Sequence, residues 1–398
     1  MKLLEGIKVA DFTHAHGGSL ATMVLADFGA EVIKIEKPDK GDLSRQWEPM
    51  KNGQSGYFVN LNRGKKSIVL DLNTEAGKKI AMDLICQSDV VVENFKYGQM
   101  KKFGLDYECI KEVKPEIIYA SLSGYGQTGP MKERSGLGLL TVAASGMMDR
   151  TGFADGYPVK PGPALGEHIS GTYLAMGIML ALIEKEKNGV GQYIDVSIMD
   201  SLYSVLETVP VTYSMEGEVE PRLGNGDAAV TPYDTFKTND GYLALGIAAD
   251  SQWLKFCDVM GMDDAKVDPR YADNALRSAN YENGLKEAIE EAMGKDSKLS
   301  IQRKLREAKL ACGAVYSVEE AMTINPITSR NMIRKVYDKG MDEEVSIMGT
   351  VIKMKETPGR NDVGAPILGE HTRDYLENLG YTEEQISEFV NSGVVQFA

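Results

Sequence analysis

The sequence predicts an α/β fold, an open Rossmann-like parallel sheet with a smaller α+β domain attached. Three observations carry this: a strand, helix, strand run over residues 6–36, Val- and Ile-rich runs recurring between amphipathic stretches as far as residue 199, and a change of pattern after residue 206. A chain of 398 residues, 43% hydrophobic and 26% charged, can bury roughly three quarters of its unfolded surface and is long enough for two domains. The boundaries read as 1–205 plus 335–398 for the large domain and 206–334 for the small one.

Residues 6–12 (Gly-Ile-Lys-Val-Ala-Asp-Phe) read as a strand, 19–28 as a helix and 31–36 (Glu-Val-Ile-Lys-Ile-Glu) as a second strand. The loop between the first two, Thr13-His14-Ala15-His16-Gly17-Gly18, lies where open α/β sheets face their ligands. It contains no GxGxxG, so a nicotinamide-type fingerprint is absent. Residues 68–72 repeat the strand signal, 74–87 form a helix with Ile80, Leu84 and Ile85 on one face, and Val90-Val91-Val92 is a short buried strand ending at Glu93-Asn94-Phe95. A strand at 117–122 breaks at Gly124-Tyr125-Gly126, and Ile194, Val196 and Ile198 alternate as a half-buried strand requires. Strand tips thus repeatedly deliver Gly- or Asn-containing loops to one edge. Beyond residue 210 the pattern lapses, then Asn239-Asp240-Gly241 marks a hairpin between strand-like runs. Residues 345–354 are strand-like, and a helical tail begins near His371.

Lys and Arg number 44 against 58 Asp and Glu, a formal charge of -14, which argues against nucleic acid or an anionic membrane as a general partner. Cys86, Cys109, Cys257 and Cys312 show no CxxC spacing, which suits a reduced cytoplasmic protein. No signal peptide or membrane span is evident. Basic residues nevertheless gather at strand tips: Lys37, then Arg63, Lys65 and Lys66, then Lys96, Lys101 and Lys102, with His14 and His16 in the first loop. That grouping reads either as a phosphate-binding cleft or as solvated lysines.

Residues 161–184 are a Gly/Pro-rich loop running into a strongly apolar helix, with Glu167 and His168 at the junction. Taken alone, Glu167 is first of all an ordinary helix-start acid. The chain has few histidines, no Ser-His-Asp pairing and no metal-ligand spacing, so a carboxylate is the leading catalytic candidate. A carboxylate is already ionised at neutral pH and can attack without a general base.

The chain resembles the class III CoA-transferases of the CaiB/BaiF type, which include formyl-CoA:oxalate and carnitine CoA-transferases and are related to α-methylacyl-CoA racemases. The resemblance spans nearly the whole chain. It is carried by Leu4-Glu5-Gly6-Ile7-Lys8-Val9 with Asp11-Phe12-Thr13-His14, by Leu25-Ala26-Asp27-Phe28-Gly29-Ala30-Glu31-Val32-Ile33-Lys34-Ile35-Glu36, and by Asn62-Arg63-Gly64-Lys65-Lys66 with the strand to Asp71. Further matches are Val92-Glu93-Asn94-Phe95, Ser123-Gly124-Tyr125-Gly126, Gly189-Val190-Gly191-Gln192, and Gly364-Ala365-Pro366 with Leu368-Gly369-Glu370-His371-Thr372.

What the resemblance implies is a CoA-transferase whose nucleophile, normally Asp, falls on Glu167. Its route would run through a mixed anhydride and an enzyme-bound CoA thioester. His16, Gly17, Lys37, Leu70, Asp71, Leu72, Asn73, Asn94, Phe95, Lys96, Lys102 and Arg134 would meet CoA, and Gly17, Gly18 and the glycines around 224–226 would offer N–H groups to the thioester oxygen. An acyl-CoA and a small carboxylic acid are the implied substrates, with no tightly bound cofactor and no metal. The implied assembly is an interlocked homodimer. Only Gly226 remains of the long glycine loop that oxalate-specific members carry after the Gly224 position, so oxalate specificity is not implied. Racemases of this fold place a His in the segment Ser135-Gly136-Leu137-Gly138, which here has none. An isomerase and a catalytically silent CoA-binding protein are the alternatives.

Overall fold

The computed structural model describes residues 2–219, 221–360 and 362–398. It divides into two compact units, one of Met1–Met147, Lys160–Pro210 and Asn325–Ala398, the other of Met148–Val159 and Val211–Ile324. Residues 148–159 thus join the second unit, where the sequence pattern keeps them with the sheet. The reason is long-range: Arg222 donates to the carbonyls of Asp149, Phe153 and Gly156 at 3.3, 3.2 and 2.8 Å, which no local pattern reports.

Six parallel strands form the frame of the first unit: β1 (Lys8–Asp11), β2 (Glu31–Glu36), β3 (Lys66–Leu70), β4 (Val90–Glu93), β5 (Ile118–Ser123) and β6 (Tyr193–Ser197). Their spatial order is 3-2-1-4-5-6, so the direction of winding reverses between β1 and β4. In such doubly wound sheets the ligand crevice opens beyond the carboxyl ends of those two strands. The tail does return to this sheet: Val395–Gln396 pairs antiparallel with β3, Val395 opposite Leu70. The central strands are apolar without alternation, as in Val90-Val91-Val92, because both faces are covered by helices and all three valines are fully buried.

Five helices shape the site: α1 (Gly17–Asp27), α2 (Gly56–Asn62), α3 (Glu75–Cys86), α4 (Gly138–Ala144) and α5 (Leu165–Asn188). Thr74 caps α3 through its side chain, and Ile80, Ala81, Leu84 and Ile85 fill the core on one face. The 24 residues of α5 are long and apolar enough, by length and composition, to cross a bilayer. Its buried stripe of Gly166, Ser170, Gly171, Leu174, Ala175, Ile178 and Ala181 instead packs inside the unit. Glycines bring it close: a Cβ on Gly171 would lie 2.4 Å from the carbonyl oxygen of Gly17, and one on Gly166 would lie 2.8 Å from Ile198. Helix α5 ends at Gly189 with φ +69°, a left-handed cap that glycine takes without strain.

The second unit carries an antiparallel sheet of Tyr233–Thr238, Gly241–Gly246 and Ala311–Ala314, turned at Asn239-Asp240 as the hairpin signal predicts. Trp253, Phe256, Leu285, Ile289, Ile301 and Leu305 pack on it from helices. The strand-like signal at 345–354 is realised as one arm of an antiparallel pair, Ile333–Asp338 with Glu343–Met348, in the first unit, where Val336 and Ile347 pack on Phe58 and Val59 of α2.

At the end of β4 the Glu93 carboxyl is buried, paired with Ser121 Oγ, and accepts the Phe95 backbone N–H at 2.8 Å. Burial pushes its pKa up to about 7, with Asp195 adding to the rise and the two hydrogen bonds opposing it. A raised acid favours folding fully below its unfolded pKa of about 4.3, and that contribution is lost as pH climbs through the folded value. Glu93→Gln, which keeps an acceptor for the Phe95 N–H and never ionises, is expected to flatten the urea-denaturation stability profile between about pH 4.5 and about pH 7.5. An unchanged slope would show that Glu93 is charged throughout.

Candidate active site

The loop after β1 is built on buried charge. Asp11 Oδ1 accepts from the Thr13 N–H and hydroxyl at 2.9 and 2.6 Å, and its Oδ2 from Thr22 and the Lys65 ammonium at 2.8 and 3.0 Å. Burial alone would raise Asp11, but Lys65, Lys34 and the Thr13 bonds outweigh it and hold the carboxyl below its usual range. Lys34 donates to the Thr13 carbonyl at 2.8 Å and pairs with Asp42 at 2.7 Å, and Asp42 in turn accepts the Ala15 N–H at 3.1 Å. Asn94 completes the clamp, accepting the His14 N–H and donating to the His14 carbonyl, both at 2.8 Å. These bonds hold Ala15 at φ +61°, a conformation that costs a non-glycine residue on the order of 1–3 kcal/mol. The strained turn aims His16 at the start of α5.

There the structure brings His16, Gly17 and Glu167 together. Glu167 is half-buried in the first turn of α5, where the helix dipole favours a negative charge. Its carboxylate lies on Gly138, whose Cβ, if present, would sit 2.2 Å from Oε1, and its carbonyl lies against Gly17, at 3.0 Å by the same construction. The His16 ring stands 5.8 Å from that of His168, and its Nδ1 meets the Tyr57 hydroxyl at 2.6 Å. Burial, with the charges of Glu167 and Asp42, raises the Tyr57 pKa, so the phenol keeps its proton and has it to offer to Nδ1. Burial, and then His168, lowers His16 to about 4, so the imidazole is neutral, and in the tautomer whose Nδ1 accepts from the phenol its hydrogen lies on Nε2. That buried Nε2 has no partner among the described residues. A neutral imidazole therefore faces the first turn of the helix that carries Glu167.

The remaining residues singled out from sequence fall at neighbouring strand ends. Lys37 follows β2, Leu70, Asp71, Leu72 and Asn73 end β3, and Asn94, Phe95 and Lys96 follow β4, so that with His16 and Gly17 after β1 they occupy four adjacent tips. Leu70 is buried in the sheet, paired with Val395, and its side chain cannot face a ligand, while Asn73 donates to Asp71 through its N–H and its amide at 3.0 and 2.9 Å. The Asn94 amide is spent on the loop as described, and Phe95 packs edge-on against His14 at 5.0 Å. Lys37, Lys96, Lys102 and Arg134 are exposed. Lys96 also lines a cleft of about 320 Å³ with Tyr97, Tyr107 and Glu93.

Two expectations are corrected. Arg63 and Lys65 are not phosphate ligands: Arg63 forms a buried bidentate pair with Asp27 at 2.9 and 2.6 Å, and Lys65 is the Asp11 partner above. The glycines near 225 do not offer free N–H groups, because Gly224 donates to Gly152 and Gly226 to Leu223 at 3.0 and 2.9 Å. Sequence reasoning also missed Tyr57 and the role of Gly138. Neither sits in a motif, and both reach the site through tertiary contact alone.

The family model for CoA-transferase family III matches residues 4–372. Succinyl-CoA:mesaconate CoA-transferase of Haloarcula hispanica is 36% identical over 389 residues, 96% of this chain and 97% of that protein. Succinyl-CoA:glutarate CoA-transferase of Mus musculus is 33% identical over 398 residues, 100% of this chain and 91% of its own. The crystal structure of a CAIB/BAIF family protein from Brucella suis superposes with a TM-score of 0.88 at 32% identity, covering 95% of this chain and 99% of that one. With a match that spans the sheet, the loop after β1 and the start of α5 alike, this chain belongs to CoA-transferase family III.

Proposed function

We propose that the protein moves CoA from an acyl-CoA thioester to a free carboxylic acid with Glu167 as the covalent carrier. The observation that carries this reading is the seating of the Glu167 carboxylate on Gly138, in the first turn of a helix whose backbone abuts Gly17 and whose His168 ring faces that of His16. A Glu167 oxygen attacks the thioester carbonyl, the C–S bond breaks, and a mixed anhydride and CoA thiolate form. The thiolate then attacks Cδ of Glu167 and releases the donor acid, leaving a glutamyl-CoA thioester. The acceptor carboxylate attacks that thioester, a second anhydride forms, and the returning thiolate takes the acceptor acyl group and frees Glu167. Nothing is hydrolysed, so the thioester energy is passed on.

His16 Nε2–H is assigned to the oxyanion that develops in each attack, and Tyr57 holds the tautomer that makes it a donor. The CoA nucleotide is assigned to the four strand tips, with Lys37, Lys96, Lys102 and Arg134 offering cations to its phosphates, and Asn94 shaping the loop. Short dicarboxylic acids, with succinyl-CoA as donor, are the substrates to expect, since the relatives above are named for them. A second copy of the chain is assigned to the outer face of α5, where Met176, Leu180 and Ile183 recur at helical spacing and stand 52%, 63% and 48% exposed. A reduced cytoplasmic location is part of the same reading.

Incubating the protein with succinyl-CoA and glutarate or mesaconate should yield the new thioester without loss of total thioester, and Glu167→Gln should lower that rate by more than about 10³-fold. Exchange that survives Glu167→Gln would overturn the assignment, and deuterium uptake at the acyl α-carbon without exchange would point to an isomerase. His16→Ala should lower kcat about 100-fold or more, as for loss of one oxyanion donor, with the KM for acyl-CoA little changed. A loss confined to KM would make His16 a binding residue only.

A further inference from the structure

Glu167 stands where the family resemblance expects the shorter Asp, so its extra methylene must be accommodated by something nearby. Both walls of the notch are fixed. On one side, the Glu167 carbonyl lies where a Gly17 Cβ would be 3.0 Å away, and Gly171, one turn on, is pinned to the Gly17 carbonyl with only 2.4 Å left for a Cβ. The first turn of α5 therefore cannot retreat. On the other side, Gly136 and Gly124 are packed so that a Cβ on either would fall 2.2–2.3 Å from the other's Cα, which ties the approach to α4 to the end of β5. Between these walls the carboxylate rests on Gly138, where a Cβ would meet Oε1 at 2.2 Å, Cδ at 3.1 Å and Oε2 at 3.3 Å.

Backbone conformation does not require glycine at this place. Gly138 begins α4, any L-residue adopts helical angles there, and glycine within a helix is less favourable than alanine. What its absent side chain supplies is room. We propose that Gly138 is a positioning residue matched to Glu167, and that this pairing is what lets a glutamate take the part of the acyl carrier in this chain. The inference rests on the reading of Glu167 as nucleophile. With a methyl group at 138 the Glu167 carboxylate must leave its seat by about 1 Å or more, a displacement that costs on the order of 100-fold in rate. An aspartate at 167 would withdraw by about one C–C bond, roughly 1.5 Å, and clear the same methyl group.

The test is a double-mutant cycle on Gly138→Ala and Glu167→Asp, read in kcat and KM for succinyl-CoA with glutarate or mesaconate as acceptor, together with thermal unfolding of each variant. Gly138→Ala is expected to lose on the order of 100-fold in kcat with KM for the acyl-CoA within about threefold and Tm unchanged or higher, which a folding defect would not produce. Glu167→Asp alone is expected to be similarly slow, because the notch leaves its carboxylate short. The double variant should lie within about twofold of Glu167→Asp, the Gly138→Ala penalty having vanished, instead of showing the roughly 10⁴-fold product of two independent losses. Full activity in Gly138→Ala, or a Gly138→Ala penalty that persists undiminished in the double variant, would overturn the pairing. Glu167→Gln run alongside separates the two readings: if it is inactive while Gly138→Ala is fully active, only the pairing fails, and if it retains exchange, the nucleophile assignment itself fails.

Discussion

The structure depends on one close approach, that of the first turns of α5 to the start of α1. Gly171 and Gly17 allow backbone against backbone with no side chain between, and this contact sets Glu167 next to His16. Remove it by adding a single Cβ and the two helices must move apart. The site would then lose its geometry with the sheet left intact. Glycine at these positions is conformationally costly to fold, and the compensation is a contact that no larger residue could make.

A second constraint supports the first. The loop that carries His16 is held in a strained turn by Asp11, Lys65, Lys34, Asp42 and Asn94, every one of them buried or half-buried. Ion pairs of this kind add little net stability, because desolvation offsets much of the attraction. What they do is fix a conformation, since breaking one leaves an uncompensated charge in the core. A rigid loop suits chemistry in which a donor hydrogen must be in place before charge develops. The neutral state of His16 follows from the same burial, and a Tyr57 hydroxyl that donates to Nδ1 would favour the tautomer with its hydrogen on Nε2.

Much of this frame is legible in the sequence. Runs such as Val90-Val91-Val92 can only be central strands, and the Thr74 cap and the apolar face of α3 announce their helix. Glu167, His16 and Gly17 lie at junctions where a strand or loop enters a helix, but position alone leaves Glu167 an ordinary helix-start acid, and the family resemblance is what marks all three as site residues. Other features are invisible for a physical reason. A basic run such as Arg63-Gly64-Lys65-Lys66 looks the same whether it meets phosphate or buried carboxylates, and its partners Asp27 and Asp11 lie 36 and 54 residues away. Tyr57 is an ordinary aromatic until the fold places it on His16. Gly138 reads as one more loop glycine until the space above it is seen to be filled.

The central claim is that oxygen passes through a protein carboxyl on its way between two acids. If Glu167 carries the acyl group, an acceptor acid labelled with ¹⁸O in its carboxylate leaves one labelled atom on Glu167 when its own thioester is made. Over successive turnovers both oxygens of the Glu167 carboxylate become labelled, and the one that attacks each donor thioester departs with the donor acid. Mass spectrometry of the released donor acid is therefore expected to show a single ¹⁸O drawn from the acceptor, in unlabelled water. Donor acid that carries no acceptor oxygen, or that takes its oxygen from solvent, would contradict the covalent route.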